Sequence, residues 1–137
     1  MVPALKYRLI EIPGRCDGRG ALHFAQEPQH IPFVVRRIFY LHNLVPGTGR
    51  GGHAHRRQHQ FLVMVAGSAR ITVDNGRLRE EVRLDDPGLA LYCPPMLWLD
   101  LNDFSSDAVC LVLTSDVYDE ADYIRDAAEF RRLTADG

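Results

Sequence analysis

The chain has 137 residues, with 16 Lys plus Arg against 18 Asp plus Glu and a formal net charge of −2. That length holds one domain and lets it bury a core of its own without disulfides. The near-neutral charge argues against broad phosphate neutralisation on nucleic acid, and 46% hydrophobic with 25% charged residues describes a globule, not a disordered segment.

Short apolar or alternating runs follow one another from the start. Residues 5–12 form the first expected strand. Lys6, Arg8 and Glu11 interrupt its apolar stretch, so it is not the core of a signal peptide. Further strands are expected over 20–26, 33–44, 58–66, 69–73, 78–84, 89–93, 97–101 and 109–114. Between them, Asp74–Asn75–Gly76 is a hairpin turn, since Asn-Gly accepts the positive φ a tight turn needs. Asp85–Asp86–Pro87–Gly88 is another turn, and 66–68 is a very short connection. Many short strands with no intervening helix predict an all-β antiparallel sandwich or barrel, over residues 5–116.

The C-terminal part differs. Tyr123, Ile124, Ala127, Phe130 and Leu133 fall at helical spacing, with Asp119, Glu120 and Asp122 before them and Arg131 and Arg132 at the end. This predicts an amphipathic helix over 119–133 oriented with its dipole. Residues 1–137 thus make one domain. Cys16, Cys93 and Cys110 are far apart with no CxxC spacing, which suggests reduced thiols and a cytoplasmic protein. Cys93 and Cys110 read as buried small apolar residues. No run reaches the length of a membrane span.

Three of the six histidines lie between positions 53 and 59. On a strand, His53 and His55 point to one face, about 6–7 Å apart. That pair suits two chemistries: metal ligation, or proton transfer by imidazoles that titrate near neutrality. His23, His30 and His42 have no comparable context.

The frame around the pair narrows the choice. Gly47, five residues, His53-Ala54-His55, four residues, Gln60, six residues and Gly67 resemble the first cupin motif. Gly88, five residues, Pro94, and then Met96, Leu99 and Asp103 resemble the second. The resemblance implies a cupin jelly-roll β-barrel followed by the C-terminal helix, with the ligand site inside. It also shows departures. Gln60 stands where the usual Glu ligand sits and Leu99 where the usual His sits, and neither suits a divalent metal beside two histidines. A register shifted by one leaves a His53, His55 and His59 metal set open.

Three further blocks sharpen the likeness. They are Arg36–Arg37–Ile38–Phe39–Tyr40, then Arg50–Gly51–Gly52–His53–Ala54–His55, and the run from Ser115 to Arg125, which contains Tyr118–Asp119–Glu120 and Asp122–Tyr123–Ile124–Arg125. Together they resemble the nucleotide-sugar 3,4-ketoisomerases of the WxcM-like cupins, over roughly residues 5–133. Their pattern reads Arg-Val-Tyr-Tyr, Arg-Gly-x-His-Ala-His and Pro-x-x-Trp-His. The resemblance implies isomerisation of a dTDP-4-keto-6-deoxy sugar through an enediol, with no metal and no cofactor. His53 and His55 are then the proton-transfer pair. Tyr40 is a third catalytic candidate, Arg50 a diphosphate clamp, and Gln60, Arg70 and Trp98 substrate contacts. Leu99 and Asp100 replace the family's usual His and Glu. The resemblance also implies a homodimer paired through the N-terminal strands, which would cover exposed sheet edges. Two alternatives stay open: a metal-dependent cupin using His53, His55 and His59, and a nucleotide-sugar-binding cupin without catalysis.

Overall fold

Alternation along each run decides which side chains meet in the interior. In the computed structural model, which describes residues 4–135, the expected runs become β1 (Arg8–Glu11), β3 (Gly20–His23), β4 (Arg37–Leu41) and β6 (Gln60–Ala66), joined by two strands outside those runs, β2 (Gly14–Asp17) and β5 (Arg50–His55). There follow β7 (Ala69–Asp74), β8 (Arg79–Leu84), β9 (Leu89–Cys93), β10 (Trp98–Asn102), β11 (Val109–Thr114), β12 (Tyr123–Ile124) and α1 (Ala127–Thr134).

The strands form two five-stranded sheets, β1-β9-β6-β11-β4 and β12-β5-β10-β7-β8, and β2 and β3 make a separate hairpin. Leu62, Met64, Leu91, Cys110 and Val112 of the first sheet share one buried cluster with Ile71, Val73, Leu84, Leu99 and Leu101 of the second. Burying a side chain of this size contributes about 1.5–3 kcal/mol, so this inter-sheet layer holds the fold together. The expected all-β jelly roll is thus present, as a sandwich rather than a barrel closed all round by hydrogen bonds.

The turns behave as their residues dictate. Asn75 Oδ1 accepts the N–H groups of Arg77 and Leu78, and Gly76 takes φ +94°, which closes the β7–β8 hairpin. At Gly67, φ is +70° and the neighbouring Ser105 and Asp107 leave no room for a Cβ.

One expectation changes. The helix over 119–133 starts only at Ala127. Asp119 and Asp126 each cap a separate element: Asp119 accepts the Ala121 N–H to start a 3-10 turn over 120–122, and Asp126 accepts the Ala128 N–H to start α1. Between them Tyr123 and Ile124 pair with His55 and Ala54 at the edge of the second sheet. Ile124 and Phe130 are buried beside Ala54, while Leu133 is exposed. At the N-terminus, β1 pairs within the same chain, from Arg8 opposite Tyr92 to Glu11 opposite Leu89. The residues of β2 and β3 are all exposed. No helix among the described residues is long and apolar enough to cross a membrane.

Candidate active site

A cavity of about 430 Å³ opens between the sheets. Phe39, Leu62, Leu99, Leu101 and Val112 make its apolar wall, and Arg50, His53, Gln60, Tyr123 and Arg125 supply the polar groups. His53 reaches it through a local distortion of β5. Gly51 and Gly52 take φ +88° and +73°, and the register with β10 shifts between Leu99 and Asp100. A Cβ on Gly51 would stand 2.7 Å from the Leu99 carbonyl oxygen, so the bulge that aims His53 requires glycine there.

The two histidines sit in different surroundings. Their rings meet edge-on, with centroids 5.1 Å apart and planes at 87°. His53 borders the cavity. Burial lowers its pKa, and the Gly51 carbonyl opposes this only in part. Its buried Nδ1 has no well-formed hydrogen bond. His55 is 4% exposed. Its Nδ1 lies 3.1 Å from Asp122 Oδ2, and its Nε2 lies 3.2 Å from the Gln58 amide nitrogen and 3.3 Å from that of Gln60. Burial first, then the neighbouring His53 charge, push its pKa down to about 4, against the pull of Asp122. Both imidazoles are therefore neutral near pH 7, which is the form that accepts a proton.

The segment around β12 closes the site. The Tyr123 ring lies 5.0 Å from His53 and 4.3 Å from His55, and its hydroxyl accepts a long, 3.5 Å hydrogen bond from Arg37. The Arg125 guanidinium stacks 4.2 Å over the Tyr123 ring and donates to both Glu120 oxygens, at 2.6 and 2.9 Å. These bonds, with one from the Tyr118 hydroxyl, hold the Glu120 carboxyl down to about 2. Arg50 also lines the cavity, is exposed and has no ion-pair partner among the described residues. The cavity thus offers a neutral base, an unpaired Arg50 and an Arg125 tied to Glu120, against an apolar wall.

The WxcM-like, C-terminal family (FdtA) matches residues 5–135. The chain belongs to this family. It is 39% identical, over 131 residues, to TDP-4-oxo-6-deoxy-alpha-D-glucose-3,4-oxoisomerase of Aneurinibacillus thermoaerophilus, covering 96% of this chain and 94% of that protein. A 3,4-ketoisomerase from Helicobacter canadensis superposes with a TM-score of 0.93 at 35% identity, over 96% of this chain and 99% of that one. QdtA, a sugar 3,4-ketoisomerase from Thermoanaerobacterium thermosaccharolyticum solved with TDP, superposes at 0.92 with 32% identity, over 95% of each chain.

Within this FdtA-family fold, several expected site residues lie elsewhere. Tyr40 is 62% exposed, because β4 alternates and turns Arg37, Phe39 and Leu41 inward. Phe39, at the first tyrosine of the Arg-Val-Tyr-Tyr pattern, is the residue that lines the cavity here. Arg70 also points out of its sheet, since Ala69, Ile71 and Val73 fill the interior. It pairs with Glu81 at 3.1 Å and Asp103 at 3.0 Å. Trp98 packs on Phe130 of α1, 5.6 Å between ring centroids, and donates to Asp100 at 3.2 Å. His59 turns to the opposite side of β6, sharing a 2.8 Å hydrogen bond with the Tyr92 hydroxyl and stacking on Phe33. The three-histidine set does not form, and among the described residues no three His, Cys, Asp or Glu side chains group to hold a metal ion.

The structure brings together His53, His55, Gln60 and Arg50, and adds Gln58, Asp122, Tyr123 and Arg125. The signal for the last three was the family block over 118–125. A helical reading of that block hides them, because a helix would spread Asp122, Tyr123 and Arg125 round its circumference.

Proposed function

We propose that this FdtA-family chain is a 3,4-ketoisomerase of a TDP-linked 4-keto-6-deoxy sugar, with TDP-4-keto-6-deoxyglucose as substrate. The observation that carries this reading is the neutral His53 imidazole on the wall of a cavity that Arg50 and Arg125 also line. The C3 hydrogen of such a sugar is acidic because it lies next to the C4 ketone. A base removes it, leaving an enediolate across C3 and C4. A proton then returns to C4, the C3 hydroxyl gives up its own, and the ketone ends at C3. Atoms and electrons balance within the sugar, so the reaction needs no oxidant, reductant or cofactor.

His53 is the base in this scheme, and the His55 ring packs edge-on against it. In this reading Arg50 and Arg125, which both line the cavity, give the diphosphate charge-assisted hydrogen bonds. Gln60 donates within the cavity. Tyr123, and not Tyr40, presents its ring to the pair. Leu99 and Phe39 make the wall that faces the sugar more apolar than the family pattern.

The test is incubation with TDP-4-keto-6-deoxyglucose in deuterated buffer, followed by NMR. Deuterium at the exchanging carbon and a new 3-keto sugar are expected. Tight TDP binding with neither would overturn the reading and leave a binding protein.

The chain also works as a cytoplasmic homodimer in this reading. Its three cysteines are free, as in a reducing compartment. The outer face of the first sheet exposes Ile38, Tyr40 and Val65, and beside it the β2–β3 hairpin exposes Leu22. A second copy would cover these together. Sedimentation at micromolar concentration should give a dimer, and a monomer would remove this part.

A further inference from the structure

Asp122 takes no part in the scheme above, which uses groups at the cavity. It is nevertheless 2% exposed, and a carboxylate so deep needs donors around it. Its oxygens accept the backbone N–H of Arg57 at 2.7 Å and of Gln58 at 3.2 Å, and the Arg57 guanidinium lies 3.7 Å away. The remaining partner is His55 Nδ1 at 3.1 Å.

The chemistry of these neighbours fixes the ring. An ionised carboxylate can only accept, so the hydrogen must sit on Nδ1. In a neutral imidazole Nε2 is then a bare acceptor. It faces the amide nitrogens of Gln58 and Gln60, which donate. A doubly protonated ring would aim an N–H at two N–H donors. The opposite tautomer would leave Nδ1 and the carboxylate as two acceptors face to face.

We propose that Asp122 is a positioning residue for the isomerisation: it locks His55 as the neutral Nδ1–H tautomer, so that His53 alone carries the proton between C3 and C4. The reaction it names rests on the proposed function, but the tautomer does not. The charged and titratable groups facing His55 are His53 on its own strand, Asp122 from the 3-10 turn, Arg37 from β4 and Tyr123 from β12. His53 and Arg37 disfavour a charge on the ring, as burial does, while Asp122 favours one. Asp122 therefore sets which nitrogen is protonated, and the buried, cation-flanked setting keeps the ring uncharged. With the two rings 5.1 Å apart, a proton on His53 further discourages one on His55.

The experiment uses the full chain labelled with 15N-histidine. Wild-type NMR between pH 5.5 and 8 should show His55 protonated on Nδ1, bare on Nε2 and not titrating. The reverse tautomer, or titration like an ordinary imidazole, would overturn the proposal without any variant. Asp122→Asn should mix or reverse the tautomer and lower kcat by about a hundredfold or more, with KM within about threefold. Asp122→Glu should recover part of kcat together with the Nδ1–H signal. A folded Asp122→Asn protein with near-wild-type kcat would also overturn the proposal, as would a loss confined to melting temperature. A wild-type protein that never turns over the sugar would sink the proposed function, and the spectrum would still decide the tautomer.

Discussion

Tyr123 pairs with His55 across β12 and β5, and the two rings lie 4.3 Å apart. The same ring lies 5.0 Å from His53, so one aromatic plate buttresses both imidazoles. Each such contact is worth about 0.5–1.5 kcal/mol. Tyr123→Ala should therefore lower kcat/KM at least about tenfold and reduce the melting temperature. Tyr123→Phe keeps the plate and should hold kcat/KM within about threefold and the melting temperature near wild type; a larger fall in kcat/KM would give the hydroxyl a part in the reaction. Steady-state kinetics on the two variants separate those roles.

Tyr40 supplies the matching control. Its ring stands outside β4 beside His42, 5.6 Å between centroids. Tyr40→Phe should leave kcat/KM within about twofold of wild type. A tenfold fall would return Tyr40 to the reaction and place its hydroxyl in a site completed by another copy.

Arg50 lines the cavity, is exposed and has no protein partner to lose among the described residues. A charge-assisted hydrogen bond to a ligand contributes about 1.5–3 kcal/mol. Arg50→Ala should raise KM for the TDP-sugar about ten- to a hundredfold while kcat stays within about threefold. Calorimetry with TDP alone should show the same weakening. An unchanged TDP affinity would take the diphosphate away from Arg50.

The buried histidine also links stability to pH. His55 has its pKa depressed from 6.5 in the unfolded chain to about 4 in the fold. Between those values the unfolded state binds more protons, so stability rises with pH through that window. It is complete above about pH 6.5 and is lost as pH falls toward 4, by up to about 3 kcal/mol. His53, shifted the same way, adds to the slope. Urea melts at pH 4.5 and 7 should show the difference, and it should shrink in His55→Gln. Equal stability at both pH values would mean that His55 titrates normally in the fold.

Gly67 is a purely structural test. Its φ of +70° and the close approach of Ser105, Asp107 and Ala108 exclude a side chain. Gly67→Ala should cost about 1–3 kcal/mol and lower the melting temperature without a specific change in KM. A melting point equal to wild type would show that the turn relaxes freely.

The sequence was most readable where local chemistry decides local structure. Alternation located the strands of both sheets except β5 and β12, Asn75–Gly76 located a hairpin, and the glycine frame located His53 and His55. Helical spacing misled over 119–126, because Ile124 from a strand and Phe130 from a helix pack into one cluster with Ala54 while Tyr123 lines the cavity, and their spacing shares a period without a common helix. Alternation on β4 and β10 could have turned Tyr40 and Trp98 outward, but only once the inward face was known from Leu41 and Leu101. The His55–Asp122 contact spans 67 residues, and no local pattern reveals a pairing at that distance.

That span bears on when this protein becomes competent. Most of the second sheet can assemble from residues 50–102, yet its edge strand and the partner of His55 arrive from beyond position 119. Closing a loop of that size is slow compared with hairpin formation. A chain that has built its strands but not docked β12 holds His53 in place, beside a His55 with no fixed proton and a cavity with one wall missing. Recovery of turnover after dilution from denaturant should therefore lag the return of β-sheet signal, which makes catalysis a clock for the final docking step.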